Sequence, residues 1–450
     1  MSKKTSSSPS LRTLKGQCDN ISLQSGEHVL LASAPNPQST LATALLCRAI
    51  MKSSGTFHVS FEQPIMSIDS INAIRNEHAT SSIIFVGIET VGTKKLRKGK
   101  GYPVFVGGPS ESEQVNSITL GDEHTVPISA YILAQEHLTV SDYDLQIAAS
   151  ATLIYDKSHA SPKKPSTANK AIVKQAIDKN LLEKRGGIRL FGFSFLPIDE
   201  VLLFSIRPYI QGIGGNQKAC DAFLNEADIP ITKLRSPMSS LSNSEIQHFT
   251  QHLTSHLLEK VGPGIIPYTF GTDYILTREN ENRPLRHLSG LEAIADTAWA
   301  RQELGAAMSI WIGDRGRALR TAIDTYLSHS KDVISVIQRL ETKMKATSSE
   351  DSTIVDLSGT QDMLLTDVGR IILQNEIVNP ERPLAISNEK SSVIIWTYRN
   401  VNANHILQSV ENLKLTSTAT STQSVKFEGM SSEERMKVLK LIKDLSERKK

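Results

Sequence analysis

The chain is poor in the residues that usually announce a chemistry or a compartment. Its three cysteines, Cys18, Cys47 and Cys220, are far apart and odd in number. They make neither a metal-binding spacing nor a disulfide framework, which points to a reducing compartment. Aromatic residues are only 5%, so any core has to be built mainly from Leu, Ile, Val and Ala. No run approaches the ~20 apolar residues of a membrane span. Met1–Ser10 is polar and basic and lacks the apolar centre of a signal peptide. Neither sign of charge dominates: 50 basic against 47 acidic residues leave +3, so a polyanion would have to be met by a local patch. No internal repeat is present. Together these absences predict a soluble, cytoplasmic protein with no membrane association.

What is present is globular. Hydrophobic residues are 39% and charged residues 22% of 450, enough burial for two or three cores. Residues up to about Gly26 are Ser/Lys-rich and predict a flexible, frayed end over 1–25. His28-Val29-Leu30-Leu31-Ala32 reads as a strand that ends in Ala34-Pro35-Asn36-Pro37, and Leu41, Ala44, Leu45 and Ile50 then recur at helical period. Phe57–Phe61, Ile83–Val86 and Pro103–Val106 follow as strands with helical stretches between, the pattern of a parallel α/β sheet. In such sheets chemistry sits in the loops at the carboxyl ends of the strands. Ser158–Asn169 (SHASPKKPSTAN) reads as a linker or exposed excursion, and a mostly helical region follows to about Ser330. A second α/β unit opens with Ile354–Leu357, a helix near Val368–Ile372, and strands at Pro383–Ile386 and Val393–Trp396. Ser431 and Glu434 have capping-box spacing ahead of a final helix. The expected divisions are 26–160, 161–330 and 331–450.

The order of these segments resembles the archaeal RecJ-like proteins of the DHH phosphoesterase family, which include a GINS-associated nuclease and relatives of the RecJ-like subunit of the CMG replicative helicase. Gly187-Ile188-Arg189-Leu190-Phe191-Gly192 and Arg207-Pro208-Tyr209-Ile210-Gln211-Gly212-Ile213-Gly214-Gly215-Asn216 are similar to that family's RLFG and DPYIPGLSGN segments. Gly305–Arg315, Thr353–Gly369 and Ile394–Arg399 are similar to further stretches of it. The resemblance implies a DHH-type parallel-sheet domain, a helical insertion and a smaller C-terminal DHH-associated α/β domain. It also implies GINS and MCM as partners.

The same resemblance places the family's metal-binding motifs, and they are not filled. Two divalent cations, Mn²⁺ or Mg²⁺, would need carboxylate and imidazole ligands. The first motif falls on Ser33, Pro35, Pro37 and Gln38, the second on Gly87, the third on Gly107, Gly108 and Pro109, and the fourth near Ile154. No Asp, Glu or His occurs between His28 and His58, or between Glu89 and Glu111, so this holds under any alignment of the two loops. Glu89 and Asp156 are the nearest carboxylates. The reading is therefore a catalytically inactive protein without a cofactor, serving as a helicase subunit or scaffold and contacting single-stranded DNA. An alternative is a RecJ-like single-strand exonuclease, dependent on Mn²⁺ or Mg²⁺, that recruits Asp122, Asp144 or Asp156. A further alternative is a stand-alone nucleic-acid-binding repair protein.

Candidate nucleic-acid contacts are few. Lys94, Lys95, Arg97, Lys98 and Lys100 form a basic run after the Ile83–Val86 strand, suited to a phosphate backbone, although a solvated loop explains them as well. By the resemblance Arg399 occupies a phosphate-contact position, and a guanidinium fork suits that role; an Arg at a strand end is as often simply solvated. The stretch where a Gly-Gly-Gly-His motif is expected reads TSTATSTQS, Thr416–Ser424. Gly212–Asn216 lacks the Lys-Ser/Thr of a phosphate loop and reads as a structural turn. Asp314, Arg315, Arg317 and Arg320 are read as charges at an element end. His248, His252 and His256 recur every four residues beside a buried face of Ile246, Phe249, Leu253 and Leu257. They could pair on a metal, but the expectation is a solvated stripe.

Overall fold

The computed structural model describes residues 9–79, 81–91, 103–107, 116–120, 126–158, 167–281, 283–343, 346–348, 353–398, 401, 403–410, 416–421 and 423–448. The chain divides into two compact units. One comprises residues up to Glu183 together with Gln302–Arg320; the other comprises Lys184–Arg301 and the chain from Thr321 on.

The first unit opens with α1 (Pro9–Cys18), β1 (His28–Ser33), α2 (Pro37–Lys52), β2 (Thr56–Phe61), β3 (Ile65–Ser67) and α3 (Ile68–Glu77). It continues with β4 (Ser82–Val86), β5 (Glu89–Val91), β6 (Val104–Val106), β7 (Asn116–Ile118), α4 (Val126–His137), α5 (Asp142–Ser158) and α6 (Thr167–Asp178). A sheet of order β2-β1-β4-β6-β7 is parallel throughout. Its central strands, VLLAS in β1 and IIFV in β4, are buried on both faces, which is why they read as continuous apolar runs rather than alternating ones. Leu30, Phe85 and Phe105 form one core with Met66, Ile68 and Ile71, and the Phe85 and Phe105 rings stack at 4.8 Å. Burying each such side chain contributes about 1.5–3 kcal/mol.

Helix α2 starts where its sequence says it must. Pro37 supplies a preset φ at the first turn, and the Asn36 side chain accepts the Ser39 N–H at 2.9 Å. Residues 9–18 correct the expectation of a frayed end: Leu11, Leu14 and Cys18 are a helical stripe within a Ser/Lys-rich stretch, and they are buried, with α1 packed on α4. The small parallel pair β3–β5 stands outside the main sheet.

The second unit takes up most of β8 (Leu182–Ile188), then α7 (Ile198–Leu203), α8 (Gln217–Glu226), α9 (Asn243–Lys260), α10 (Ile266–Thr269), β9 (Phe270–Leu276) and α11 (Leu288–Ala300). Helix α12 (Leu304–Ile312) belongs to the first unit, and most of the long α13 (Arg317–Lys343) to the second. The rest is β10 (Ala346–Ser348), β11 (Thr353–Asp356), α14 (Asp362–Gln374), β12 (Leu384–Ser387), β13 (Ser391–Ile395), α15 (Ala403–Val410), β14 (Ser417–Ser421), β15 (Ser424–Glu428) and α16 (Ser432–Arg448). Its sheet has the order β10-β11-β12-β13-β15-β14, with β11 and β12 parallel and the other neighbours antiparallel. Ile394, Trp396, Val425 and Phe427 pack with Ile406, Val438 and Ile442 of α15 and α16. On α14, Gly369 lets the helix approach the side chains of Ile386 and Ile395, where a Cβ would not fit. The capping box expected at Ser431 is present: Ser431 N–H donates to Glu434 Oε2 at 2.8 Å, and Glu434 N–H to Ser431 Oγ at 3.3 Å.

Candidate functional site

The loops that could carry chemistry lie where β1, β4 and β6 end. Beyond Val86 and Val106 the ladder carries on for one residue: Ala34 N–H donates to Val86 O, Gly87 N–H to Val106 O and Gly107 N–H to Ile118 O, each at 2.9 Å. Ser33, the first motif position, is fully buried; its hydroxyl accepts from Thr43 at 2.9 Å and donates to Ala34 O at 3.1 Å. The N-terminus of α2 points out of the same end of the sheet, a place that often receives an anion. Here Asn36 answers it, taking the Ser39 N–H on its side chain and the Thr40 hydroxyl on its carbonyl at 2.8 Å.

The donors at these strand ends do not fit Mn²⁺ or Mg²⁺. A hydroxyl already committed on both sides, prolines and glycines offer no anionic oxygen and no imidazole. Among the described residues no group of three or more His, Cys, Asp and Glu stands where it could hold a metal. Gly108 and Pro109 lie outside the described residues. Ile154 is buried within α5.

The carboxylates that might rescue a metal site do not gather there. Glu89 opens β5 and pairs with Ile65 of β3 in a two-stranded ladder separate from the five-stranded sheet. Asp144 sits at the first turn of α5, where its carboxylate accepts from Arg48 Nε at 2.8 Å, from Lys52, and from the Ser141 N–H at 2.7 Å. Lys52 ends α2 and Arg48 lies one turn before it, where the helix has run back to the amino end of the sheet. Burial works to raise the Asp144 carboxyl, but hydrogen bonds from Lys52, Arg48 and Ser141 outweigh it and hold its pKa below the ordinary value. Asp122 and the side chain of Asp156 lie outside the described residues, as do Lys94, Lys95, Arg97, Lys98 and Arg399. Strand β13 itself ends at Ile395.

The other sequence candidates resolve into structural parts. Asp314 accepts the N–H groups of Gly316 at 2.7 Å and Ala318 at 3.4 Å, capping α13. Arg315 donates to Ile310 O and to the Tyr143 hydroxyl, and Arg48 donates to Ile312 O, so two guanidiniums satisfy the end of α12. Gly215, at φ +69°, lies where a Cβ would strike Ile334, and Asn216 caps α8 through the Ala219 N–H at 3.2 Å. Within TSTATSTQS, Ser417–Ser421 form β14 and Ser424 opens β15, which pair antiparallel with an irregularity between Ala419 and Ser421.

The histidine stripe is a correction in part. His248 is exposed, but His252 and His256 are half-buried: both rings contact Phe223 of α8, and His256 Nε2 is 2.8 Å from Gln211 O.

Sequence reasoning missed a dense charge cluster in the second unit, centred on the buried Asp367. Arg207, in the Arg207–Asn216 segment, donates to Asp296 of α11 and, at 2.9 Å, to Asp367 of α14. Asp367 also takes Arg370 on the same oxygen and His329 Nε2 of α13 at 2.6 Å on the other. Burial alone would raise the Asp367 carboxyl; Arg207, Arg370 and His329 overcome it and hold it well below the carboxylate range. Burial pushes the neighbouring Tyr326 phenol up to about 12. Each cation has an anion beside it, so the cluster ties α11, α13 and α14 to the Arg207 segment.

No family model matches the chain, and no curated protein matches it. Solved structures do. Cdc45 from Entamoeba histolytica superposes with a TM-score of 0.59 at 10% identity, covering 97% of this chain and 97% of that one. RecJ from Thermus thermophilus, in complex with Mn²⁺, gives 0.46 at 12% identity over 98% of this chain and 54% of that one. The chain has the α/β fold that its segment order suggests, and it shares that fold with Cdc45 over nearly the whole of both molecules.

Proposed function

We propose that the chain is a catalytically inactive RecJ-like protein that serves as a subunit or scaffold of a replicative helicase, binding GINS and MCM inside the cell. The observation that carries this reading is the carboxyl end of the parallel sheet, where Ser33, Gly87 and Gly107 stand at strand ends that would need acids to hold cations. The likeness to Cdc45 over 97% of both chains supports the helicase-subunit reading. The position of Asp144, bound to Arg48 and Lys52, speaks against the exonuclease alternative. In this reading Lys94, Lys95, Arg97, Lys98 and Arg399 meet the backbone of single-stranded DNA, without sequence preference.

Affinity capture of the tagged full chain from cell extract, followed by mass spectrometry, tests it. GINS and MCM subunits should be recovered together. Recovery of repair proteins without them would favour a stand-alone nucleic-acid-binding protein instead.

A further inference from the structure

We infer that the carboxyl end of the parallel sheet, besides lacking acids, is closed to a side chain at Gly107 by the backbone of α4, so that the family's ligands cannot all be restored by substitution. This deepens the inactive reading above and rests on it. Two glycines carry the argument. Gly87 and Gly107 follow β4 and β6 directly, with φ of +66° and +74°, a conformation in which an L side chain is strained.

At Gly107 the obstacle is a helix. A Cβ there would lie 2.5 Å from Val126 Cα and 2.8 Å from Val126 N, the first residue of α4. Main-chain atoms cannot rotate away as a side chain can. Nor can α4 retreat easily, because Ile128, Ala130, Tyr131, Ile132, Leu133 and Ala134 are buried along it. The Gly107 N–H is meanwhile held to Ile118 O at 2.9 Å, which fixes the strand end from the other side. Truncating Val126 would relieve the clash with its methyl group but leave both main-chain clashes in place.

At Gly87 the obstacle is softer. A Cβ would overlap the hydroxyl of Ser39 on α2 and stand 3.1 Å from Ser39 Cβ. That hydroxyl is buried and makes no hydrogen bond, so it can turn aside. Asp is among the residues that tolerate a positive φ best. Position 87 can therefore take an acid, and position 107 cannot. An Asp at 87 would still lack the neighbours that a hard cation requires.

The test compares purified Gly107→Ala, Gly107→Asp and Gly87→Asp with the parent chain, using thermal melting with and without Mn²⁺ and digestion of single-stranded DNA. Gly16→Ala, at a helical glycine with open space around it, is the control. Both Gly107 variants should melt lower than the parent by at least about 4 °C and by similar amounts, since the collision is at Cβ and not at the carboxylate. Gly87→Asp should fold, gain no melting temperature from Mn²⁺ and digest nothing, which keeps the inference testable even if the Gly107 variants do not accumulate. A Gly107→Asp protein that melts like the parent, or either Asp variant that Mn²⁺ stabilises, overturns it. Digestion by the parent chain itself would instead overturn the inactive reading.

Discussion

At Asp367 two arginines and a histidine converge on one buried carboxylate, and Arg207 spans from there to Asp296. Removing one member of such a group costs more than the group is worth intact, because it strands the remaining charge. Arg207→Ala should therefore destabilise the fold by about 3–5 kcal/mol, read as a lower urea midpoint. A midpoint within error of the parent would mean that the cluster is solvated. None of this was legible in the sequence. Arg207 lies 89 positions from Asp296 and 160 from Asp367, and single Asp and Arg residues look the same on a surface as in a core. Acid titration gives a second check. The Asp362 carboxyl is opposed by burial but held down to about 2 by Asn388, Ser391 and Lys426. A carboxyl lowered on folding adds stability above its unfolded value of roughly 3.9, and that stability is lost as pH falls toward about 2. The urea midpoint should drop across that window, and Asp362→Asn should lose part of the drop.

Among the elements, what the sequence showed and what it hid divide by burial. Strands β1, β4, β12 and β13 are short apolar runs, buried on both faces, and read directly. Strands β3, β5, β7, β10 and β14 are short and rich in Ser, Thr or Asn. Their pairing comes from neighbours, so no local period marks them. Helix α1 was hidden by its polar surroundings, although Leu11, Leu14 and Cys18 carry the spacing. Helix ends were more legible, because capping is local chemistry. Ser242 and Glu245 form a capping box at α9, as Ser431 and Glu434 do at α16. Ser431→Ala should cost about 1 kcal/mol, measured by urea denaturation of the purified chain, and an unchanged midpoint would show that α16 is not held at that end.

For the whole molecule, the fold and the strand-end loops were legible through different signals. The order of segments was enough to reach the α/β fold, because apolar strands and Gly-rich turns are local signals. The strand-end loops were legible in a different way, through the residues they lack. If the basic run meets DNA, replacing Lys94, Lys95, Arg97 and Lys98 by Glu should weaken single-stranded DNA binding. It should also flatten the dependence of log K on log salt by about 3, at roughly 0.7 for each phosphate that is no longer neutralised. Fluorescence anisotropy across a salt series reads both effects, and an unchanged slope would assign those side chains to solvent.

The claim beneath all of this is that the end of the parallel sheet holds no cations. Free Mn²⁺ gives a strong paramagnetic resonance signal that is lost on binding, so titrating the purified chain with Mn²⁺ measures the claim directly. The expected trace follows buffer alone through several equivalents. Disappearance of the signal from two equivalents per chain, the number that a two-metal phosphoesterase holds, would contradict the account at its root.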